Sequence, residues 1–77
     1  MATKHRYEIK LNDMVMFEKR CTANRNEDVY RVLDAILFTL KESKGTGTVE
    51  VWCDSELFNI EHYEDGERIN LKKELAA

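Results

Sequence analysis

Seventy-seven residues carrying 12 Lys/Arg, 15 Asp/Glu and a formal net charge of −3 allow one domain built around one modest core. A hydrophobic content of 43% suits a globular chain rather than a disordered one, and no apolar run approaches the roughly 20 residues of a membrane-spanning helix. The opening residues Met1-Ala2-Thr3-Lys4-His5-Arg6-Tyr7 lack the apolar stretch of a secretory signal, so the expected location is cytoplasmic.

Tyr7, Ile9 and Leu11 alternate with Arg6, Glu8 and Lys10, which predicts a half-buried strand over 5–11. Asn12-Asp13 is a turn pair, and residues 14–21 form a returning strand. The expected register sets Arg6 beside Glu18 and points Val15 and Phe17 inward, leaving Met14 and Met16 on the outer face. A helix follows over about 26–43, with Asn24 or Asn26 as cap and Glu27 and Asp28 at the positive end of its dipole. Val29, Val32, Leu33, Ile36, Leu37 and Leu40 make one apolar stripe, and Gly45 is the expected left-handed residue past the C-terminus.

Thr48–Cys53 alternates as a third strand, Asp54-Ser55-Glu56 turns the chain, and Leu57–Tyr63 returns. Asp65-Gly66 signals another hairpin, with a last strand expected over Arg68–Leu71 and a short tail over Lys72–Ala77. The fold class is therefore α+β: a two-layer domain with an antiparallel sheet of four to five strands in ββαββ(β) order and one helix on one face. It is expected to be a single domain over 1–77, with its ordered core at about 5–71.

Catalytic chemistry is not indicated. Gly45-Thr46-Gly47-Thr48 follows a helix instead of preceding one, the wrong order for a phosphate loop. His5, Cys21, Cys53 and His62 are not spaced as local ligand pairs, and Asp54 and Glu56 lack the pattern of a calcium loop. Cys21 and Cys53 are expected as free thiols on strands. No enzyme activity, metal or cofactor is expected, because a two-layer domain with one helix rarely encloses a pocket that tunes an acid or base.

Charge carries the functional signal. Residues 1–45 hold nine Lys/Arg and seven Asp/Glu, whereas 46–77 hold three and eight. Between Lys44 and Arg68 stand Glu50, Asp54, Glu56, Glu61, Glu64, Asp65 and Glu67 with no Lys or Arg among them. Such a block steers association toward a basic partner. Trp52 alternates with the core positions of its strand, so it is expected on the uncovered sheet face as an apolar anchor. Phe38 falls on the charged face of the helix and Tyr30 at its border, both in places that suit interface aromatics.

The expected function is a non-enzymatic binding protein, an inhibitor or regulator docking on a basic surface of a larger protein, with a nucleic-acid-handling enzyme as the natural partner. A homodimeric accessory module is the alternative from a different class. An RNA-binding regulator using Lys4, Arg6, Lys10, Lys19, Arg20, Arg25 and Arg31 is a third, but the negative net charge and the absence of free stacking aromatics argue against direct nucleic-acid binding. In size, acidity and lack of catalytic motifs the chain is similar to small phage-encoded inhibitors, including anti-CRISPR proteins and nuclease or polymerase inhibitors. That likeness is of general character and carries over no residue.

Overall fold

A computed structural model describes residues 3–69. Strands β1 (Lys4–Leu11) and β2 (Met14–Thr22) lead through a 3-10 turn at Ala23–Arg25 into helix α1 (Glu27–Glu42). Strands β3 (Gly47–Cys53), β4 (Glu56–Glu64) and β5 (Glu67–Ile69) complete one antiparallel sheet of order β2-β1-β3-β4-β5. The α+β fold expected from the sequence is the fold observed. The expected continuation of the last strand to Leu71 and the tail over Lys72–Ala77 lie outside the described residues.

Helix α1 packs on the face to which β1 and β3 turn their odd-numbered residues. Tyr7, Ile9, Val49 and Val51 meet Val29, Leu33 and Leu40 there, and Ile9, Val29 and Val49 are fully buried. Burying side chains of this size contributes about 1.5–3 kcal/mol each. At the helix start, Asn26 makes no side-chain cap. Its side chain is directed at the Tyr7 hydroxyl instead, and Asn24 accepts a hydrogen bond from the Thr22 hydroxyl at 2.8 Å. The first turn is anchored by an ion pair between Asp28 and Lys19 of β2.

Three two-residue turns close the hairpins: Asn12-Asp13, Asp54-Ser55 and Asp65-Gly66. Both residues of each have positive φ, between 50° and 82°, the mirror-image turn that matches strand twist and favours Asn, Asp and Gly. The first two hairpins share one design. Leaving either turn, the returning strand pairs for two residues, bulges at the third (Met16 or Phe58) and then resumes pairing at Phe17 or Asn59. Residue n of the first hairpin thus corresponds to residue n + 42 of the second, so that Asn12 maps onto Asp54 and β2 onto β4. The Ile9–Val51 pair at the middle of the β1–β3 ladder maps onto itself.

The bulge at Met16 changes the expected register. Arg6 stands opposite Arg20 and Glu8 opposite Glu18, with the like charges relieved by a diagonal Arg6–Glu18 ion pair at 2.9 Å and an Arg6–Glu8 contact at 3.5 Å. Phe17 faces the helix as expected, but the extra residue turns Val15 to the uncovered face, opposite Lys10. Met14 stands opposite Leu11. Met16 lines an apolar groove of about 410 Å³ between α1 and the first hairpin, with Leu11, Val32 and Ile36. Neither methionine therefore joins the uncovered face.

The helix ends in a double hydrogen-bonded cap. Gly45 N–H donates to Leu40 C=O at 2.8 Å and Lys44 N–H to Lys41 C=O at 3.3 Å. The left-handed residue is Lys44 (φ 53°), not Gly45. Gly45 is selected by space: a side-chain carbon there would lie 3.1 Å from Leu40 Cδ2 and 3.2 Å from Ser43 Oγ. The β4–β5 turn docks on this cap, with Gly66 N–H donating to Gly45 C=O at 3.0 Å and Asp65 N–H to Thr46 Oγ1 at 3.1 Å.

Two substitutions test this junction by urea unfolding. Lys44→Gly should stabilise the domain by about 0.5–1 kcal/mol, the relief of a left-handed residue less the chain entropy of glycine. Gly66→Ala should cost about 1–3 kcal/mol, because its φ is 82° and the added carbon would lie 2.9 Å from both the Lys41 carbonyl oxygen and Lys44 Cα. Equal stabilities for the two variants would dissociate the β4–β5 turn from the helix cap.

Candidate functional site

The sheet face away from α1 is divided between the two hairpins. On the first, Arg6, Glu8, Lys10, Glu18 and Arg20 alternate outward and largely pair among themselves. On the second, the outward positions carry Thr48, Glu50 and Trp52 on β3, with His62, Ile60 and Leu57 as their partners on β4. The result is an apolar strip of Trp52, Leu57 and Ile60, the last two 46% and 37% exposed. The bulge at Phe58 is what sets Leu57 beside Trp52; Phe58 itself is 59% exposed.

Trp52 lies where its alternation with Val51 and Cys53 placed it. Lys10 Nζ sits 4.7 Å from its ring centroid, a cation–π contact worth about 0.5–1 kcal/mol at an exposed site. Its indole N–H is buried with no acceptor among the described residues, so no hydrogen bond holds the ring. Nearby, the Thr48 hydroxyl and His62 Nδ1 are 2.8 Å apart.

The carboxylates of the acidic block occupy four separate places. Glu50 is on the uncovered face between Lys10 and Ile60. Asp54 and Glu56 flank the β3–β4 turn, whereas Glu64, Asp65 and Glu67 gather at the β4–β5 turn. Glu56 and Glu64 bound one strand of 9 residues, about 26 Å from end to end. Glu61 stands opposite Val49, on the helix side, and pairs with Arg68 at 3.0 Å. Tyr30 and Phe38 are exposed, 41% and 63%, on the helix layer and therefore on the other side of the sheet from Trp52.

One polar cluster was not legible as a local motif. His5 Nδ1 lies 2.6 Å from Asp54 Oδ2, while Asp54 Oδ1 accepts the Arg6 N–H at 3.0 Å. Cys53 is next in chain, and the three side chains line a cleft of about 300 Å³ with Glu56, Leu57 and Phe58. Tyr7 lies beside it, its ring edge-on to His5 at 6.4 Å. Burial pushes the Tyr7 hydroxyl above the ordinary tyrosine value, and the neighbouring Cys53 adds to the effect. Cys21 and Cys53 are both free thiols. They lie on strands separated by β1, about 10 Å apart by strand spacing and beyond the reach of a disulfide.

The Arg6 N–H, and secondarily His5, hold the Asp54 carboxyl below the ordinary aspartate value. A depressed folded-state value means stability fully present above the unfolded value of about 3.9 and lost as pH falls through the folded one. Asp54→Asn keeps an acceptor for Arg6 and tolerates the positive φ, but removes the charge. Its stability should fall less steeply than the parent's between about pH 4 and pH 2, as read by urea unfolding across that range. Identical acid slopes would remove Asp54 from the proton balance of folding.

Compared with protein-family models, curated proteins and solved structures, the chain has no match.

Proposed function

We propose that this chain is a small acidic, non-enzymatic binding protein of the cytoplasm, an inhibitor or regulator that docks on the basic surface of a larger protein through the uncovered face of β3 and β4. A nucleic-acid-handling enzyme, with a groove rich in Lys and Arg, is the partner class that fits this chemistry. The observation that carries the reading is the contrast between the two hairpins. Their backbones follow the same plan, yet the outward face of the first carries Arg6, Glu8, Lys10, Glu18 and Arg20 around a single apolar residue, Val15, whereas that of the second sets Trp52, Leu57 and Ile60 together beside Glu50. The fold itself asks for neither. An apolar sheet face on the half of the chain that holds the acidic excess suits a partner with both apolar and cationic contacts.

The carboxylates divide by role. Glu50 lies within the strip, as a direct contact, whereas Glu56 pairs with Cys53 on the helix side of the sheet. Glu64, Asp65 and Glu67 at the far turn act over distance, raising the association rate. Glu61 and Asp54 are engaged by Arg68 and by His5 and Arg6, and contribute mainly to the fold. Among the described residues no helix is long and apolar enough to cross a membrane.

Affinity capture from host lysate, quantified for the parent and two double variants, tests the reading. Leu57→Ala/Ile60→Ala should weaken the complex at least about tenfold, roughly 1.4 kcal/mol, while leaving urea unfolding within about 1 kcal/mol. Glu64→Lys/Glu67→Lys should slow association at low salt and flatten its salt dependence. Undiminished capture by both variants would sink the proposal. So would a concentration-dependent homodimer in sedimentation that Leu57→Ala/Ile60→Ala dissolves, since the strip would then serve a second copy of the chain.

A further inference from the structure

We propose that His5, Cys53 and Asp54 form a binding site for a divalent transition-metal ion of the zinc type. One ring nitrogen of His5, the Cys53 sulfur and one carboxylate oxygen of Asp54 all lie within 4.8 Å of one another. In a tetrahedral zinc centre, bonds of about 2.0–2.3 Å set neighbouring ligand atoms roughly 3.3–3.7 Å apart. The 4.8 Å limit leaves the sulfur at most about 1.5 Å beyond that range, and the 2.6 Å His5–Asp54 contact has to open by about 1 Å to admit an ion.

The donor set selects the ion. Calcium and magnesium take oxygen ligands, whereas a thiolate, an imidazole and a carboxylate together suit zinc and its neighbours in the first transition row. The outer groups are also in place. Asp54 Oδ1 is held by the Arg6 N–H at 3.0 Å, which fixes the carboxylate and leaves Oδ2 for the ion. Tyr7, beside Cys53, is positioned to hydrogen-bond the coordinated sulfur. Glu56 pairs across the ladder with Cys53 and borders the same cleft, so its carboxylate or a water closes the fourth position.

The fold supplies its own control for whether these residues are merely structural. At the corresponding end of the first hairpin, Asn12 performs the job of Asp54: its N–H donates to Thr48 C=O and its side-chain oxygen accepts Thr48 N–H, both at 3.0 Å. The positions equivalent to His5 and Cys53 are there Gly47 and Leu11. The ladder is thus closed with a neutral amide, a glycine and a leucine at one end. The imidazole, thiol and carboxylate at the other exceed what closure requires, and together they have the composition of a metal site. Of the other residues with soft donors, His62 is turned to Thr48 and Glu64, and Cys21 is buried across β1.

The test titrates Co²⁺, then Zn²⁺, into the reduced and chelator-stripped chain. Folded protein should take up one Co²⁺ with a near-ultraviolet thiolate-to-cobalt absorption band, which stoichiometric Zn²⁺ abolishes, and Zn²⁺ should raise the melting temperature. Cys53→Ser should eliminate the band. Asp54→Asn, which preserves the Arg6 hydrogen bond, and His5→Ala should each weaken binding at least about tenfold, with far-ultraviolet circular dichroism verifying that each variant is folded. Cys21→Ser should bind as the parent does. A folded parent without the thiolate band overturns the proposal, as does a band that survives Cys53→Ser or is lost in Cys21→Ser.

Discussion

The antiparallel pairing of β1 with β3 is the constraint on which the rest of the molecule depends. It is the long-range contact that joins two local hairpins into one sheet, with Tyr7 opposite Cys53, Ile9 opposite Val51 and Leu11 opposite Val49. A slip of one residue would turn the buried Val49 and Val51 to solvent and bring Trp52 against the helix. The ladder is protected from slipping at both ends by the same device. The first residue of a hairpin turn, Asn12 at one end and Asp54 at the other, donates its N–H to a strand carbonyl and receives that strand's N–H on its side chain. In each case the side-chain oxygen replaces the carbonyl that the turning backbone carries away. Register, core and outward face are thereby fixed together.

This arrangement also explains why an acidic run in the sequence is not an acidic patch in space. Residues 50–67 pass along β3, through a turn, back along β4 and through a second turn. Alternation sends Glu50 and Glu61 to opposite faces, and the length of β4 separates Glu56 from Glu64. What the run produces is a dispersed negative potential over the second hairpin. At physiological salt, screening over about 8 Å leaves the two ends acting nearly independently. In the proposed complex, the apolar strip between them fixes the position of the partner and the charges set how fast it arrives.

Much of the architecture was legible because its signals are periodic or local. The 3.6-residue stripe of α1, the alternation of β1 and β3 and the Asn, Asp and Gly turn pairs each report a backbone state directly. The misjudged details lie where one residue's conformation depends on the tertiary partner. The bulges at Met16 and Phe58 leave the alternation of the neighbouring residues superficially intact, yet the first moves Val15 to the other face and the second sets Leu57 beside Trp52. Lys44, not Gly45, adopts the left-handed state at the helix end, where the β4–β5 turn docks through Gly66. Asn26 forgoes its capping role in the presence of the Tyr7 hydroxyl. The His5–Cys53–Asp54 cluster was hidden for a related reason: His5 and Asp54 are 49 positions apart and meet only through the register of β1 and β3.

The internal correspondence of the two hairpins separates what the backbone requires from what has been added to it. Equivalent positions that keep their chemistry, such as Ile9 and Val51 at the centre, serve the fold. Equivalent positions that differ serve something else. On the uncovered face Lys10 corresponds to Trp52, Val15 to Leu57, Glu18 to Ile60 and Arg20 to His62. Val15 and Leu57 are apolar alike, whereas the other three exchanges replace Lys, Glu and Arg with Trp, Ile and His, so the outward face of the first hairpin is mostly charged and that of the second more apolar. Leaving Trp52, Leu57 and Ile60 partly wet forgoes burial that would contribute about 25 cal/mol for each Å² of apolar surface. A domain of this size has a total stability of only about 5–15 kcal/mol, so that exposure is a substantial concession. Adding a second helix would recover it, and the charged alternative already used on the first hairpin would make it unnecessary. On the proposed reading, the open strip of Trp52, Leu57 and Ile60 is a surface buried by association rather than by folding.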